Sequence, residues 1–352
     1  MLHRINKAQP ALWRDPNTLQ IGLPPNNIAL ENLTLEQQRI VQALYIGIVQ
    51  GQESAIDSIA GARSGESANL IEKLSPLLEL ESQTSSNQFG DWQRLAFAEI
   101  SRASLDYQVN GEMVLAERWQ RNIHIDQLDR TGWLLVRALL ASGIGSVITH
   151  DNGVVLNTDL GELGFPKEQL NLSRVNAAKG ELAKFSLPKT NKERLTLLRM
   201  APKHDSKVSF AILVGHLVLN PSTYARWNNR DVPHLAITYG LNSIEVSPIV
   251  TPGKTGCLNC YQQTKIDEDV AWPTIASQLL DLPRMRDDSA ALLTSTGLAS
   301  KLILRAMDLE AGFKLIGETI DLEKGYRINQ TDGIITRVKY DFHPDCSCQE
   351  PG

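Results

Sequence analysis

The fold of this chain is decided by one stretch of sequence, RNIHIDQLDRTGWLLVRALLASGIGSVITHD, at residues 121–151. Its apolar pattern predicts a strand, a helix and a second strand, at 121–125, 132–142 and 147–150 in turn. These three elements in this order form a βαβ unit, so the sequence predicts an α/β domain with a parallel sheet. Further strands are predicted at 210–214, 234–238 and 243–250.

The length of the chain predicts more than one domain, because 352 residues exceed the usual size of a single core. Residues 1–80 are expected to form a winged-helix-like module of strands and three helices. Within this module Thr34 caps a helix that should end at Gly51. A stretch without apolar side chains predicts a linker at 81–90, and the α/β domain should then occupy 91–352.

Composition describes an ordinary globular protein, with 42% hydrophobic and 21% charged residues and a net charge of −5. This balance gives no overall attraction to nucleic acid or to anionic membranes, so any partner must be recognised locally. No apolar run has the length of a signal peptide or a membrane span, and we expect a cytoplasmic protein. The seven histidines are scattered, and no GxSxG, HExxH or GxxxxGK[ST] pattern is present. The sequence therefore predicts no catalytic residue.

The four cysteines form two close pairs, and they predict a metal site. Cys257 and Cys260 form a CxxC pair, and Cys346 and Cys348 follow after 85 intervening residues. Zn²⁺ prefers four thiolates at the corners of a tetrahedron, and two such pairs supply them. The separation is too long for a zinc finger, so the expected metal connects two distant segments and is structural. Two disulfides, or four unrelated buried thiols, are the alternatives. His343 could replace one thiolate, but it is expected to support or cap the site.

These features together resemble the ThiF/MoeB/HesA family of ubiquitin-activating-type adenylyltransferases, clearly over residues 90–350 and more faintly over the whole chain. The corresponding places are a βα turn at 127–132, a Ser-Gly-Ile-Gly turn and strand at 142–151, and the cysteine pairs within 257–348. The resemblance implies a Rossmann-like domain with a structural zinc site.

One branch of this family is especially similar, namely the ThiF-like proteins of azole-peptide (bacteriocin) maturation. The similarity lies in three stretches, TPGKTGCLNC at 251–260, AWP at 271–273 and HPDCSC at 343–348. Proteins of this branch partner a YcaO-type cyclodehydratase. The resemblance implies that an N-terminal winged-helix element binds the leader of a precursor peptide.

The βα turn departs from the family pattern for binding a nucleotide. A phosphate-binding turn needs glycines where the backbone approaches the pyrophosphate. Against GxGxxG, residues 127–132 read Gln-Leu-Asp-Arg-Thr-Gly, so only Gly132 is retained. Asp126 and Asp129 also bring carboxylates to the place of an anionic triphosphate. Asp129 or Thr131 suits a helix N-cap, whereas Arg130 could either meet a phosphate or be solvated.

Two further positions bear on nucleotide binding. Asp151 lies nineteen residues beyond Gly132, which suits an acceptor for a ribose hydroxyl, although an aspartate after a strand also commonly opens a turn. Active relatives carry an aspartate for Mg²⁺ after the fourth strand, and the resemblance places Thr223 there. No carboxylate lies between Asp205 and Asp231 to replace it. ATP and Mg²⁺ binding are therefore doubtful.

Three functions remain after these observations. The favoured one is a pseudoenzyme, a zinc-stabilised protein that binds a leader peptide and presents it to a peptide-modifying enzyme. The alternative is an ATP-dependent adenylyltransferase that activates the C-terminal carboxylate of a peptide or ubiquitin-like protein. A DNA-binding regulator ranks last, because the helices between residues 35 and 80 carry only three basic side chains. The long helix expected at 289–310 mixes small and large apolar residues, which suits packing in the core or in a homodimer.

Overall fold

The computed structural model describes residues 2–24, 26–81, 96–184, 195–197, 208–282, 288–315 and 321–349. The chain forms two compact units, one of residues 1–117 with 312–319 and one of residues 118–311 with 320–352. The linker expected at 81–90 lies outside the described residues from position 82 onward. A domain boundary at that place stays a prediction.

The first unit contains two antiparallel sheets of three strands each. One sheet has the order β5-β1-β6, with β1 at Leu2–Ile5, β5 at Ile48–Val49 and β6 at Leu78–Glu81. The other has the order β2-β3-β4, with β2 at Ala11–Asp15, β3 at Thr18–Leu23 and β4 at Asn26–Leu30. The helices are α1 (Leu35–Ile46), α2 (Glu53–Ala60), α3 (Glu66–Leu74), α4 (Phe97–Tyr107) and α5 (Gly111–Gln120), the last of which begins in this unit.

The start of α1 agrees with the sequence, but its end does not. The Thr34 hydroxyl accepts a hydrogen bond from the Gln37 backbone N–H at 3.3 Å, and the Gln37 side chain accepts one from the Thr34 N–H at 3.0 Å. This is the expected capping box. The helix ends at Ile46 rather than at Gly51, because Gly47 adopts a φ of +117° and the next residues pair with β1 as a strand.

The second unit is built on an eight-stranded mixed sheet, which confirms the predicted α/β class. The strand order is β14-β13-β12-β11-β10-β7-β8-β9. The strands are β7 (Asn122–Ile125), β8 (Ser146–Thr149), β9 (Leu195–Leu197), β10 (Phe210–His216), β11 (His234–Tyr239), β12 (Ser243–Val246), β13 (Lys324–Asn329) and β14 (Ile335–Lys339). Strands β7 to β11 pair in parallel, and β12 to β14 continue the sheet antiparallel. The strand expected at 243–250 ends earlier, at Val246, since Pro248 has no N–H to donate.

Helices cover both faces of this sheet. They are α6 (Arg130–Ala141), α7 (Arg174–Leu182), α8 (Pro221–Asn228), α9 (Leu258–Glu268), α10 (Trp272–Leu280) and α11 (Ser289–Glu310). Apolar side chains of α6, α7 and α11 share one buried cluster with the sheet, and those of α8 and α9 share another. No helix in the described part of the chain has the length and apolar content needed to span a bilayer.

The order of the parallel strands creates a switch point in the second unit. The chain passes from β7 to β8 and β9 on one side, and then returns to β10 on the other side of β7. In open α/β sheets, ligands bind in the crevice that opens at such a point beyond the carboxyl ends of the strands. The turn at 126–132 follows β7 directly, so it lies at this crevice.

Candidate functional site

The turn at the switch point is held by its own aspartate. Asp129 is the N-cap of α6, and its Oδ1 accepts a hydrogen bond from the Gly132 N–H at 3.0 Å. Gly132 packs so closely that a Cβ there would lie 1.8 Å from the carbonyl oxygen of Gln127. The one retained glycine of the pattern therefore has a steric role in the turn, and a backbone N–H that a phosphate could use is already bonded.

Asp151 lies at the same crevice and also bonds the turn. Its Oδ2 accepts a hydrogen bond from the Leu128 N–H at 2.6 Å, and its Oδ1 accepts one from the Gly153 N–H at 2.7 Å. Arg174 lies 3.4 Å from the same carboxylate and 2.7 Å from Asp159. Asp151, Asp159 and Arg174 are all buried. Both oxygens of Asp151 are thus engaged within the chain, as expected of an aspartate that opens a turn.

Asp126 adds a third carboxyl group beside the turn. Its Oδ1 accepts a hydrogen bond from the Val214 N–H of β10 at 3.1 Å. Burial raises the pKa of Asp126 to about 8, and the charges of Asp129 and Asp151 act in the same direction, whereas the Val214 hydrogen bond opposes them. Three carboxyl groups therefore lie where the family pattern would place phosphates, and the raised pKa of Asp126 favours its neutral form.

The other two predicted nucleotide positions are also engaged in local structure. Arg130 donates a hydrogen bond to the Ser289 hydroxyl at 2.9 Å. Thr223 lies in the first turn of α8, where its hydroxyl donates to the Asn220 carbonyl at 2.7 Å. Asn220 is the N-cap of this helix and accepts from the Ser222 N–H at 3.0 Å.

The four cysteines come together in space. The Sγ atoms of Cys257 and Cys260 are 3.8 Å apart, Cys257 and Cys346 are 3.7 Å apart, and Cys260 and Cys348 are 3.5 Å apart. All four lie within 4.8 Å of one another, and no disulfide joins them. A zinc ion about 2.3 Å from each sulfur would hold the sulfurs roughly 3.8 Å apart. The donor set and its geometry therefore fit a tetrahedral Zn²⁺ site.

The surroundings of the cysteines disfavour thiolates unless a cation is bound. Burial raises the pKa of the Cys257 thiol to about 11; the charges of Cys260 and Cys346 act in the same direction, and a backbone hydrogen bond from Cys260 opposes them. A bound cation would reverse this effect by stabilising the thiolates. His343 is not among the clustered ligands. Its Nδ1 accepts from the Asp345 N–H at 3.1 Å and its Nε2 lies 2.9 Å from Asp267, so it caps the turn that carries Cys346.

Comparison with solved structures finds similar folds over almost the whole length of this chain. E. coli MccB in a crystal with ATP superimposes with a TM-score of 0.68 at 16% identity, over 99% of this chain and 99% of that one. The microcin C7 biosynthetic enzyme MccB in complex with N-formylated MccA gives a TM-score of 0.66 at 15% identity, over 99% and 100% of the two chains.

The chain has the fold of MccB. PaaA shares this fold, with a TM-score of 0.65 at 15% identity over 95% of this chain and 99% of that one. No protein-family model and no curated protein matches the sequence. The likeness to MccB extends over the full length of the chain and shows a fold of the kind that the family resemblance implied. The MccB crystals include one with AMPCPP and MccA together.

Two residues at the crevice of this MccB-like fold were missed from the sequence. Arg174 belongs to no recognisable sequence motif. Its contact with Asp151 is visible only in the structure, where it is buried and pairs with both Asp151 and Asp159.

His216, at the end of β10, stacks on Tyr239 and has its Nε2 3.3 Å from Asp129. Its Nδ1 is buried and has no hydrogen-bond partner in the described part of the chain. The Tyr239 hydroxyl lies 3.0 Å from the hydroxyl of Thr131. His216 and Tyr239 are the last residues of their strands, and no local sequence pattern distinguishes such residues as members of a site.

Proposed function

We propose that this chain is a peptide-binding protein with the MccB fold and that its turn at 126–132 does not bind a nucleotide. It would present a precursor peptide to a separate modifying enzyme, which the family resemblance suggests is a YcaO-type cyclodehydratase. The observation that carries the proposal is the 2.6 Å hydrogen bond from the Leu128 N–H to Asp151. A carboxylate of the protein takes a backbone donor that a phosphate would need.

Charge strengthens this argument. A triphosphate in the crevice would meet the carboxylates of Asp129 and Asp151, and repulsion between like charges is strongest where water is excluded. Thr223 offers a hydroxyl where active relatives carry the carboxylate for Mg²⁺, and a hard divalent cation prefers carboxylate oxygens. The turn, the charge of the crevice and the metal position thus all disfavour adenylation.

The peptide would bind to the open edge of the β2-β3-β4 sheet as an added strand. Strand β2 pairs with β3 alone among the described strands, and all five of its residues are exposed. The Gly22 N–H bonds the Pro10 carbonyl, and hydrogen-bonded pairs alternate along an antiparallel ladder. The backbone groups of Ala11 and Trp13 therefore point away from β3. Extended peptides bind such edges through main-chain hydrogen bonds.

Calorimetry with ATP and Mg²⁺ tests the first part of the proposal, with MccB as the positive control. We expect no binding of ATP to this chain at concentrations that saturate MccB. Micromolar affinity for ATP would overturn the loss of the nucleotide site.

A displayed library of random peptides tests the second part. We expect the chain to enrich peptides that the variant Ala11→Pro no longer retains, because proline removes one outward N–H without removing a bond to β3. Ala11→Val is the matched control and should retain them. Failure to enrich any peptide that depends on residue 11 would overturn binding at this edge.

The alternative function is an ATP-dependent adenylyltransferase acting on a peptide carboxylate. It is favoured by the full-length likeness to MccB, which has been crystallised with ATP. Exchange of labelled pyrophosphate into ATP in the presence of a peptide would establish it.

The remaining parts of the proposal concern structure and location. We assign Cys257, Cys260, Cys346 and Cys348 to one structural Zn²⁺, and residues 1–80 to a winged-helix-like peptide module. Thiolate ligands persist in a reducing compartment, so we place the protein in the cytoplasm. A homodimer formed through α11 is also proposed, and sedimentation of the purified chain tests it.

A further inference from the structure

The sheet β2-β3-β4 has an apolar side that is covered over two of its strands and uncovered over the third. Directly opposed residues of neighbouring strands project to the same side of a sheet. The register aligns Trp13, Leu19 and Leu30 in one row across the three strands. Leu19 is 3% exposed and Leu30 is 1% exposed, whereas Trp13 is 54% exposed. The two residues of this row on β3 and β4 are therefore buried, whereas the residue on the edge strand β2 is exposed.

A second row repeats this arrangement. Ala11, Ile21 and Ile28 are aligned, with Ile21 fully buried and Ala11 exposed. Ala11 and Trp13 are also the residues whose backbone groups point to the open edge. A strand added there would set its own alternate side chains beside Ala11 and Trp13 on the apolar side. Burial of the apolar surface of those side chains would favour binding.

The same edge carries one exposed cation. Arg14 is exposed, and no ion pair involving it occurs within the described residues. The adjacent Asp15 carboxylate accepts a hydrogen bond from the Asn17 N–H at 2.8 Å, so it is engaged in the turn to β3. The bulge between Trp13 and Asp15 leaves Arg14 without an opposed residue on β3. An acidic side chain of an added strand would complement this charge.

We infer that the peptide recognised by this chain is an extended segment with apolar residues at alternating positions and an acidic residue between them. This inference rests on the proposed function and adds the chemical class of its ligand. The apolar residues lie beside Trp13 and Ala11, and the carboxylate pairs with Arg14.

Fluorescence anisotropy with two labelled synthetic peptides of identical composition tests this inference. One, Gly-Ser-Leu-Glu-Leu-Ser-Gly, has the alternating pattern, and the other, Gly-Ser-Leu-Leu-Glu-Ser-Gly, does not. We expect the alternating peptide to bind at least tenfold more tightly. Trp13→Ala should remove this preference, whereas Trp13→Phe should keep most of it. Equal binding of the two peptides would overturn the inference.

A charge exchange tests the acidic position separately. Arg14→Glu should weaken binding of the alternating peptide several-fold, and a peptide with lysine in place of glutamate should regain affinity for this variant. Absence of that rescue would overturn the pairing with Arg14. The two levels of the argument remain distinguishable, because peptides enriched at the edge without alternation contradict only the inference. A chain that enriches no peptide contradicts the proposed function itself.

Discussion

The cysteine cluster and the turn after β7 differ in how their binding groups are used. In the cluster, four sulfur atoms converge with spacings that suit a tetrahedral metal. In the turn, the groups that could bind a ligand bond to one another instead, the Leu128 N–H to Asp151 and the Gly132 N–H to Asp129. Groups that hydrogen-bond to one another within the chain stabilise the folded structure and are not available to a ligand. The comparison therefore distinguishes a cluster whose four sulfur atoms are placed to bind a metal from a turn whose backbone donors are already hydrogen-bonded.

Loss of the metal should have the largest effect. Cys257→Ser should lower the free energy of unfolding by several kcal/mol, since structural zinc contributes on the order of 10 kcal/mol in small peptides and less within a larger core. Metal analysis should find one Zn²⁺ per wild-type chain. A chelator should lower the melting temperature of the wild type but not that of the variant. Wild-type protein purified without chelator and free of zinc would refute the metal site.

Gly132→Ala should test whether the turn depends on close packing. The added Cβ would lie 1.8 Å from the Gln127 carbonyl oxygen, so we expect destabilisation of about 3 kcal/mol in urea unfolding. Gly297→Ala in α11 is the matched control, because no atom lies within 4 Å of its added Cβ. That change should stabilise the helix by about 0.5 to 1 kcal/mol. Similar effects at both positions would contradict the steric role of Gly132.

Asp151→Asn should test whether the turn is held by this carboxylate. The change removes the charge that faces Arg174 and weakens the bond to Leu128, and it should cost about 2 kcal/mol of stability. Asp332 is an exposed aspartate that also accepts a backbone hydrogen bond, from Ile334 at 2.9 Å. Asp332→Asn should change stability by less than about 0.5 kcal/mol. An Asp151→Asn protein that matched this control would show that the turn does not need the carboxylate.

The raised pKa of Asp126 predicts an effect on stability that depends on pH. The pKa of Asp126 is raised to about 8 from its ordinary value of 3.8, so the folded state binds more protons than the unfolded state between these values. Its contribution to stability is therefore present at low pH and decreases as pH rises toward 8. Asp126→Asn should be more stable than the wild type at pH 8, by about 1.4 kcal/mol for each pKa unit that is realised. Denaturant midpoints from pH 5 to pH 8 measure the difference. Parallel curves for the two proteins would exclude the shift.

The sequence predicted those parts of the structure that depend on local chemistry. Thr34 and Gln37 form their capping box from positions three residues apart, and α6 is capped by Asp129, one of the two N-cap candidates. The cysteine pairs could be joined across 85 residues because metal chemistry restricts ligand spacing. The α/β class was predictable because short apolar strand patterns alternate along the chain with helical patterns.

Other parts depend on contacts that no local pattern records. The early end of α1 follows from the pairing of Ile48 with His3 across the first sheet. Arg174 is important through its distance to Asp151 and Asp159, which lie far from it in sequence. His216 reaches Asp129 only because β10 returns beside β7. Long-range proximity of this kind follows from the topology of the sheet.

The bond between Asp151 and Leu128 has a consequence for competition. Any dissolved anion that approached the turn would have to displace a carboxylate tethered to the same chain, whose effective concentration is millimolar or higher. The displaced carboxylate would lose its bond to the Leu128 N–H in a buried environment, which adds to the free energy required. The protein thus carries an intramolecular competitor for any anion at this turn, and an increase in the concentration of such an anion would do little to fill the crevice.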